Sequence, residues 1–193
     1  MDRGPGARRA EAGGVTGAAV EVDVVVDDAR WHDLERLAAI AVPAALEAAG
    51  LGGPREVVVL GCDDARIAAL NAEFRGKSAP TNVLSWPSAP RDPDEATQDE
   101  ALGDVAIAFD TCAREAREQG KPFDAHVVHL LVHATLHLLG HDHEAEEEAA
   151  RMEALEVAIL GRLGFPDPYA SVRDAPAGDG PGAAGRPSGS DAD

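Results

Sequence analysis

The sequence predicts a single α+β domain in which a central, roughly four-stranded mixed sheet is packed by about five helices. The chain has 193 residues, a length that suits one domain. Short apolar segments rich in Val and Ile alternate with longer segments of helical periodicity, and Gly, Pro or Asp separate them. We expect the domain to span residues 20–172. Residues 1–19 and 173–193, which are rich in Gly, Ala, Pro and charge, are predicted to be disordered tails.

The strands are predicted where β-branched residues cluster or alternate with polar ones. Pro87 should end one of them, because proline cannot donate a ladder hydrogen bond. The four predicted strands are VEVDVVVD at 20–27, REVVVLGC at 55–62, NVLSWP at 82–87 and LGDVAIAFD at 102–110, and residues 88–101 are predicted to form a loop.

The helices are predicted from apolar periodicity and from residues that commonly cap helix ends. Asp63 should cap the second helix, Asp110 or Thr111 the third, and Gly140 should end the fourth. Glutamates near the start of the last helix suit its dipole. The predicted spans are 29–49, 64 to about 74, 111 to about 119, 123 to about 139, and about 144–163.

The composition narrows the functional classes. The formal net charge is −18, which argues against a protein that coats nucleic acid nonspecifically but leaves room for a small basic cleft. No segment has the length and apolarity of a membrane helix or a secretory signal, so a cytoplasmic location is expected. Cys62 and Cys112 stand far apart and are interpreted as reduced, partly buried thiols, with a disulfide or a metal site as the alternatives.

Six of the seven histidines lie within the segment HVVHLLVHATLHLLGHDH at 126–143. His133 and His137 are four positions apart on a predicted helix, so their imidazoles lie on one face, one turn apart. Gly140 lets the chain turn back, which brings His143 within reach as a third ligand. Three nitrogen ligands that leave a fourth position open for water are typical of a catalytic zinc site. The spacing therefore predicts one divalent ion, zinc by ligand type, in a hydrolytic site.

The same spacing occurs in the zincin-type protease motif H-E-x-x-H-x-x-G-x-x-H, so the helix is zincin-like. That protease needs Glu directly after the first histidine as its general base, and this chain has Ala134 there. His126 and His129 lie on a similar helix face. One of them could line the cleft or donate a hydrogen bond behind a metal ligand, and the alternative for each is a packed, hydrogen-bonded histidine. Asp142 either orients the metal site or caps the following helix.

Three segments, in order along the chain, resemble the signatures of one family. HATLHLLGHDHEAEEEAARMEALEVAILGRLGFPDPY, LNAEFRGKSAPTNVLSWP and LGDVAIAFD resemble the motifs of the YbeY family of bacterial metal-dependent endoribonucleases. The resemblance covers residues from about 20 to 170. Three positions depart from the family pattern, namely Asn82 in place of Asp, Ala134 in place of Gly and His141 in place of Tyr, and none is a predicted metal ligand.

The resemblance implies a zinc-dependent hydrolase that cuts single-stranded RNA in 16S rRNA 3′-end maturation and ribosome quality control, with the small ribosomal subunit as a partner and with neither DNA nor membrane involved. Arg75 matches the arginine of the family's R-x-K motif, and its planar fork suits phosphate oxygens, so we expect it to be catalytic. Lys77 and His129 are expected to bind substrate. Whether water or a ribose 2′-OH attacks stays open.

Two other hypotheses fit parts of the pattern. A metallopeptidase would use the same helix and turn, although Ala134 argues against it. A noncatalytic ribosome-assembly factor would use the metal for stability alone. An open coordination position facing a cleft would favour chemistry over this noncatalytic role.

Overall fold

A computed structural model describes residues 20–93, 97–143 and 145–170, and the two predicted tails lie outside these ranges. The described chain contains four strands and five helices in one α+β domain, which confirms the predicted fold class. The strands are β1 (Val20–Val26), β2 (Arg55–Cys62), β3 (Val83–Pro87) and β4 (Ala101–Ala108). The helices are α1 (Leu34–Ala48), α2 (Asp64–Arg75), α3 (Phe109–Glu118), α4 (Phe123–Leu138) and α5 (Glu146–Arg162).

The sheet is mixed, and its strand order is β1-β2-β4-β3. β1 and β4 both pair with β2 in parallel, whereas β3 pairs with β4 antiparallel, with Ser85 opposite Val105. Because successive side chains point to opposite faces of a strand, Val83 and Ser85 lie on one face of β3, and Leu84 and Trp86 on the other. The order makes β3 an edge strand, and its outer edge borders the site described below.

The larger core lies between the sheet and helices α1 and α4. Val57, Val59, Val105 and Ile107 contribute from the strands and are at most 1% exposed. α4 is apolar on most of its circumference, as expected of a helix that is buried between a sheet and other helices. A smaller core beneath α2 covers the opposite face near β3 and includes Ile67, Leu84 and Ala106. None of the described helices combines the length and apolarity that crossing a bilayer requires.

The predicted helix caps are correct in two places and wrong in a third. Asp63 accepts a hydrogen bond from the Arg66 amide at 2.7 Å, as a capping residue should. α3, however, begins directly after β4, at Phe109, so its N-cap residue is Ala108, and neither Asp110 nor Thr111 caps it. The reason is a carboxylate from another helix, since Asp64 accepts from both the amide and the hydroxyl of Thr111, at 3.0 and 2.9 Å. That contact satisfies a free amide of the first turn.

Gly140 ends α4 as predicted, with a left-handed φ of +90°. A Cβ atom at this position would collide with the backbone carbonyl of Arg91, so glycine is required for both conformation and space. The Arg91 side chain is 5% exposed and donates to the Leu138 and Leu102 carbonyls at 3.1 and 2.8 Å. The loop after β3 thus fixes the turn that follows α4.

Both cysteines are free thiols, as expected, but they are fully rather than partly buried. The Cys62 thiol lies 3.5 Å from the Ile107 carbonyl. Burial raises the pKa of Cys62 to about 12 and also raises the pKa of Cys112. Both side chains are therefore protonated thiols near neutral pH, a form that is a poor nucleophile and a poor metal ligand.

Candidate metal centre

The three predicted ligands converge. α4 carries His133 and His137 one turn apart, and their Nε2 atoms lie 3.1 Å from each other. The turn at Gly140 returns the chain so that His143 joins them, and one ring nitrogen from each histidine lies within 4.8 Å of the others. Two nitrogens at 2.0–2.1 Å from a common tetrahedral ion would be about 3.3 Å apart, so the separation on α4 suits one ion.

Glu156 of α5 is hydrogen-bonded to the His133 ring nitrogen that does not face His137. Its side chain is 1% exposed, and its Oε1 atom accepts from His133 Nδ1 at 2.7 Å. An ionised carboxylate can only accept, so His133 carries its proton on Nδ1 and presents the Nε2 lone pair towards His137. A carboxylate or carbonyl behind a ligating imidazole is the usual arrangement at metal sites.

The second Glu156 oxygen is also occupied. His129 Nε2 donates to Oε2 at 3.0 Å, and the Tyr169 hydroxyl donates to the same oxygen. Burial alone would raise the pKa of Glu156, but the hydrogen bonds from His129, His133 and Tyr169 outweigh it and lower that pKa to about 2. Burial and the neighbouring Glu156 charge raise the pKa of Tyr169, so its hydroxyl remains a donor.

His137 is held in the neutral form that binds metals. Burial, followed by the proximity of His133 and His143, lowers the pKa of His137 to about 4. The loop that carries His143 is shaped by Asp142, whose Oδ1 atom accepts from the His143 amide at 2.7 Å. Among the described residues no side-chain hydrogen bond caps α5, so the helix-cap role expected for Asp142 is not seen, and its role in orienting the metal site stays a prediction.

A cleft of about 340 Å³ opens onto the cluster between the edge strand β3 and helix α4. Arg75, at the C-terminal end of α2, lines the cleft together with residues from both walls. The α2–β3 side contributes Arg75, Thr81, Asn82, Val83 and Ser85, and the opposite side contributes His129, Leu130, His133, Ala134, His137, His143 and Tyr169. Ala134 faces the cleft without any group that could accept a proton, so the peptidase base is missing from this position in the structure as well.

Arg75 lines the cleft and has no partner among the described residues. Within the described ranges its guanidinium forms neither a hydrogen bond nor an ion pair, although the chain carries a large excess of carboxylates. Gly76 follows with a left-handed φ of +68° and ends α2, so Arg75 is the last residue of that helix. Lys77 is exposed one residue further on and is not among the residues that line the cleft. Substrate binding by Lys77 stays a prediction.

His129 lines the cleft, but its Nε2 atom is engaged by Glu156, so substrate contact through that atom would require the bond to be exchanged. Its role in binding substrate stays a prediction. His126 is 3% exposed and pairs with Glu115 at 2.9 Å, in line with the packed alternative. Burial lowers the pKa of His126, although Glu115 opposes that shift.

Glu156 and Tyr169 were not assigned a role from the sequence. One signal for Glu156 existed, because Met152, Glu156, Ile159 and Leu160 form the buried stripe of α5 and a carboxylate in such a stripe needs a partner. Tyr169 lies 40 residues from His129 in sequence and outside any helix or strand pattern. Its position follows only from the tertiary fold.

Known proteins resemble this chain over most of its length. Residues 23–164 match the family model described as endoribonuclease YbeY. A Paracoccus denitrificans endoribonuclease YbeY is 57% identical over 156 residues, covering 77% of this chain and 89% of the relative. A Cereibacter sphaeroides endoribonuclease YbeY is 52% identical over 163 residues, covering 77% and 98%.

The solution structure of TM1509 from Thermotoga maritima matches 82% of this chain and 99% of its own, with a TM-score of 0.50 and 21% identity. At that identity the likeness shows a shared fold and nothing further. The sequence relatives carry the assignment, because they are more than half identical and are covered almost completely. The chain belongs to the endoribonuclease YbeY family.

Proposed function

We propose that this protein is a single-strand-specific endoribonuclease that uses one zinc ion and acts in 16S rRNA 3′-end maturation and ribosome quality control. The observation that carries the proposal is a cleft in which three convergent imidazoles lie on one wall and Arg75, a cation without an ion-pair partner among the described residues, lies on the other. The names of the relatives supply the substrate class, and neutral nitrogen donors favour zinc over a harder ion such as Mg²⁺.

His133, His137 and His143 would hold the ion. A zinc ion in such a site supplies Lewis acidity to a phosphoryl oxygen and lowers the pKa of a water molecule to about 7. Glu156 keeps His133 in the tautomer whose Nε2 atom is free to bind. Arg75 binds the phosphate through its planar fork and stabilises the charge that develops on the phosphoryl oxygens.

The acidic character of the whole chain restricts how RNA is bound. A net charge of −18 repels phosphates over most of the surface, so binding should be confined to the cleft beside Arg75 or be assisted by a partner. We propose the small ribosomal subunit as that partner and the cytoplasm as the location. DNA and membranes have no part in the proposed function.

The test is cleavage of a single-stranded RNA and of a matched duplex by purified protein, with metal removed by a chelator and then restored. We expect cleavage of the single strand alone, loss on chelation and recovery with zinc. His133→Ala should abolish cleavage, whereas the exposed His32→Ala should not. Metal analysis of the protein as isolated identifies the ion.

Arg75→Glu should lower the cleavage rate by at least about 10²-fold, because a donor for developing charge is replaced by a like charge. Arg66→Glu is the matched control, since Arg66 is an exposed arginine of the same helix whose ion-pair partner is Asp27. Cleavage by Arg75→Glu at the wild-type rate would remove Arg75 from the mechanism. Digestion of a peptide library without RNA cleavage would instead favour the metallopeptidase.

A noncatalytic assembly factor is the remaining alternative. In that case removal of the metal would unfold the protein, and no RNA cleavage would be found under any metal condition. The open cleft beside the cluster argues for chemistry, because a purely structural zinc site is normally closed by a fourth protein ligand.

A further inference from the structure

The outer edge of β3 carries backbone groups that do not belong to the sheet ladder. In an antiparallel pair, alternate residues direct both N–H and C=O towards the partner strand, and the residues between them direct both groups away. The Ala108 amide donates to the Asn82 carbonyl at 2.9 Å. Beyond the other end of β3, the Ser88 amide donates to the Leu102 carbonyl at 3.0 Å. Even-numbered residues of β3 therefore pair with β4. The outward-facing residues are the odd-numbered Val83, Ser85 and Pro87.

Of these three positions, Ser85 alone offers a free N–H within the described ranges. The Val83 N–H donates to Oδ1 of Asn82 at 2.7 Å, and Pro87 has no N–H. Glu115 holds the Asn82 amide in that orientation, because its Oε2 atom accepts from Asn82 Nδ2 at 2.9 Å. Neither the amide nor the hydroxyl of Ser85 has a partner among the described residues. Ser85 therefore presents two unpaired donors.

The outer edge of β3 lies between Arg75 and the three histidines. α2, which ends at Arg75, packs with Leu84 on one face of the sheet, whereas α4, which carries two of the histidines, packs on the other face. Arg75 and the histidines nevertheless line one cleft, so the cleft passes around the edge of β3 that joins the two faces. Ser85 lines the same cleft. Its outward N–H is therefore directed into the space between the cation and the metal cluster.

This edge is poorly suited to binding an extended peptide. A peptide adds to a sheet edge through a ladder of main-chain hydrogen bonds, which needs a free N–H at each outward position. On β3 the side chain of Asn82 occupies one of these N–H groups, and Pro87 lacks another. Natural proteins protect open edges against strand addition by such means. A single amide donor beside a hydroxyl suits an isolated oxygen acceptor better than a second strand.

We propose that Ser85 binds substrate RNA by donating a hydrogen bond from its main-chain N–H to a non-bridging phosphate oxygen in the cleft. The inference rests on the proposed function and adds a second phosphate-binding group to Arg75. Backbone N–H groups commonly bind phosphate oxygens of nucleic acids together with arginine and serine side chains. Because the acceptor carries negative charge, the hydrogen bond is stronger than one between neutral groups.

Proline at position 85 removes this donor and keeps the strand. Proline is tolerated where the N–H of an edge strand faces away from the ladder, and Pro87 already occupies the same outward register. We expect Ser85→Pro to keep the wild-type Tm and to weaken RNA binding by about 10- to 150-fold, the range for one hydrogen bond to a charged group. Ser85→Ala is the matched control, because it loses the hydroxyl but keeps the N–H, and it should retain most of the affinity.

Binding is measured from the fluorescence anisotropy of a short, labelled, single-stranded RNA added to the full-length protein in chelator, which prevents turnover. With zinc present, kcat/KM for cleavage should fall in Ser85→Pro by a similar factor. A second variant replaces Ser85 with its α-hydroxy acid, which exchanges the N–H for an ester oxygen and keeps the side chain. This ester variant should lose affinity as Ser85→Pro does, and wild-type affinity in it would overturn the assignment. Equal losses in Ser85→Pro and Ser85→Ala would overturn it as well.

A neutral linkage identifies the acceptor. A methylphosphonate replaces one charged non-bridging oxygen with a methyl group, and we place it at each linkage of the RNA in turn. At one linkage it should weaken binding to the wild type but not weaken binding to the ester variant any further. If a 2′-deoxy substitution gave this pattern and no methylphosphonate did, the acceptor would be a ribose hydroxyl, and the proposed phosphate contact would be wrong.

Failure of this inference is distinguishable from failure of the proposed function. A wild-type protein that cleaves RNA, with Ser85→Pro and the ester variant unchanged in affinity and rate, would retain the function and exclude the Ser85 contact. A wild-type protein that binds RNA through the Ser85 amide but cleaves it under no metal condition would retain the contact and exclude the nuclease.

Discussion

At the scale of single residues, Glu156 connects the packing of α5 to the chemistry of the cleft. It is a carboxylate without solvent exposure, and its two oxygens accept from His133, His129 and Tyr169. A buried charge is costly unless it is hydrogen-bonded throughout, and this one is. The arrangement leaves Nε2 of His133 free. A histidine that binds a metal needs such a free nitrogen, whereas a histidine that only packs in a core does not.

We expect Glu156→Gln to lower zinc affinity about 10- to 100-fold, the usual effect of changing a group behind a ligating histidine. The glutamine amide nitrogen cannot accept a hydrogen bond, so at least one of the donors around it loses its acceptor. Competition with a chelator of known affinity gives the measurement. Glu153→Gln, an exposed position on the same helix, is the control, and an equal loss of affinity there would contradict the assignment.

Cys62 gives a prediction in the alkaline range. Its folded-state pKa, about 12, is above the ordinary value of 9.0 because the side chain is buried. A raised pKa means that the unfolded chain loses the proton first, so this contribution to stability is complete below about pH 9 and is lost as the pH rises towards 12. Denaturant unfolding at several pH values should show a steeper alkaline loss in the wild type than in Cys62→Ala, and identical slopes would contradict the shift.

The convergence of the three histidines could be predicted from the sequence because it depends on local structure. A spacing of four positions on a helix and a glycine at the turn determine where His133, His137 and His143 lie. Arg75 needed the family resemblance, since an arginine in a loop-like segment has no local signature. Glu156 and Tyr169 act across 23 and 40 residues, on His133 and His129 respectively, and no local pattern specifies contacts of that range.

At the scale of elements, the turn after α4 determines whether the third ligand reaches the first two. Gly140 adopts a conformation that other residues rarely take, and the Arg91 carbonyl occupies the space that a side chain would need. Arg91 also donates a hydrogen bond to the carbonyl of Leu138, the last residue of α4. The loop after β3 and the end of the metal helix are thus held as one unit.

Gly140→Ala should lower the free energy of unfolding by more than about 1 kcal/mol and should also weaken zinc binding, because the turn must shift and His143 shifts with it. Gly120→Ala is the matched control. Gly120 also has a left-handed φ, +63°, but open space surrounds the position of a Cβ atom. Gly120→Ala should therefore lower the free energy of unfolding but leave the zinc affinity, measured by calorimetry, unchanged. If Gly140→Ala kept the wild-type zinc affinity, the turn would tolerate the change and the prediction would be wrong.

The elements themselves were largely predictable, since alternation and helical periodicity are local properties of the chain. Their bounds agree with the prediction to within a few residues, apart from α1, which begins at Leu34 rather than near residue 29. The predicted cap of α3 was wrong because Asp64, on a different helix, accepts the hydrogen bond from the Thr111 amide. The strand order was not predictable in the same way, because pairing across a sheet depends on packing between distant segments.

At the scale of the whole molecule, metal binding should stabilise the fold as well as the site. The contacts around the cluster connect α4, α5 and the segment that contains Tyr169, and an ion that binds the folded form alone shifts the unfolding equilibrium towards it. Zinc at 100 times its dissociation constant should add about 2.7 kcal/mol. The Tm of chelator-treated protein should therefore rise with added zinc in the wild type and in His32→Ala but stay constant in His143→Ala.

The strand order also determines when the cleft can form as the chain is synthesised. β1, α1 and β2 can pair as soon as they are made, whereas β3 has no partner in the described sheet until β4, which follows it, has been completed. α4 then supplies two ligands, α5 supplies Glu156, and Tyr169 is translated after all of them. A nascent chain that stops anywhere before β4 therefore contains no cleft, and the complete site can assemble only after Tyr169 has been translated.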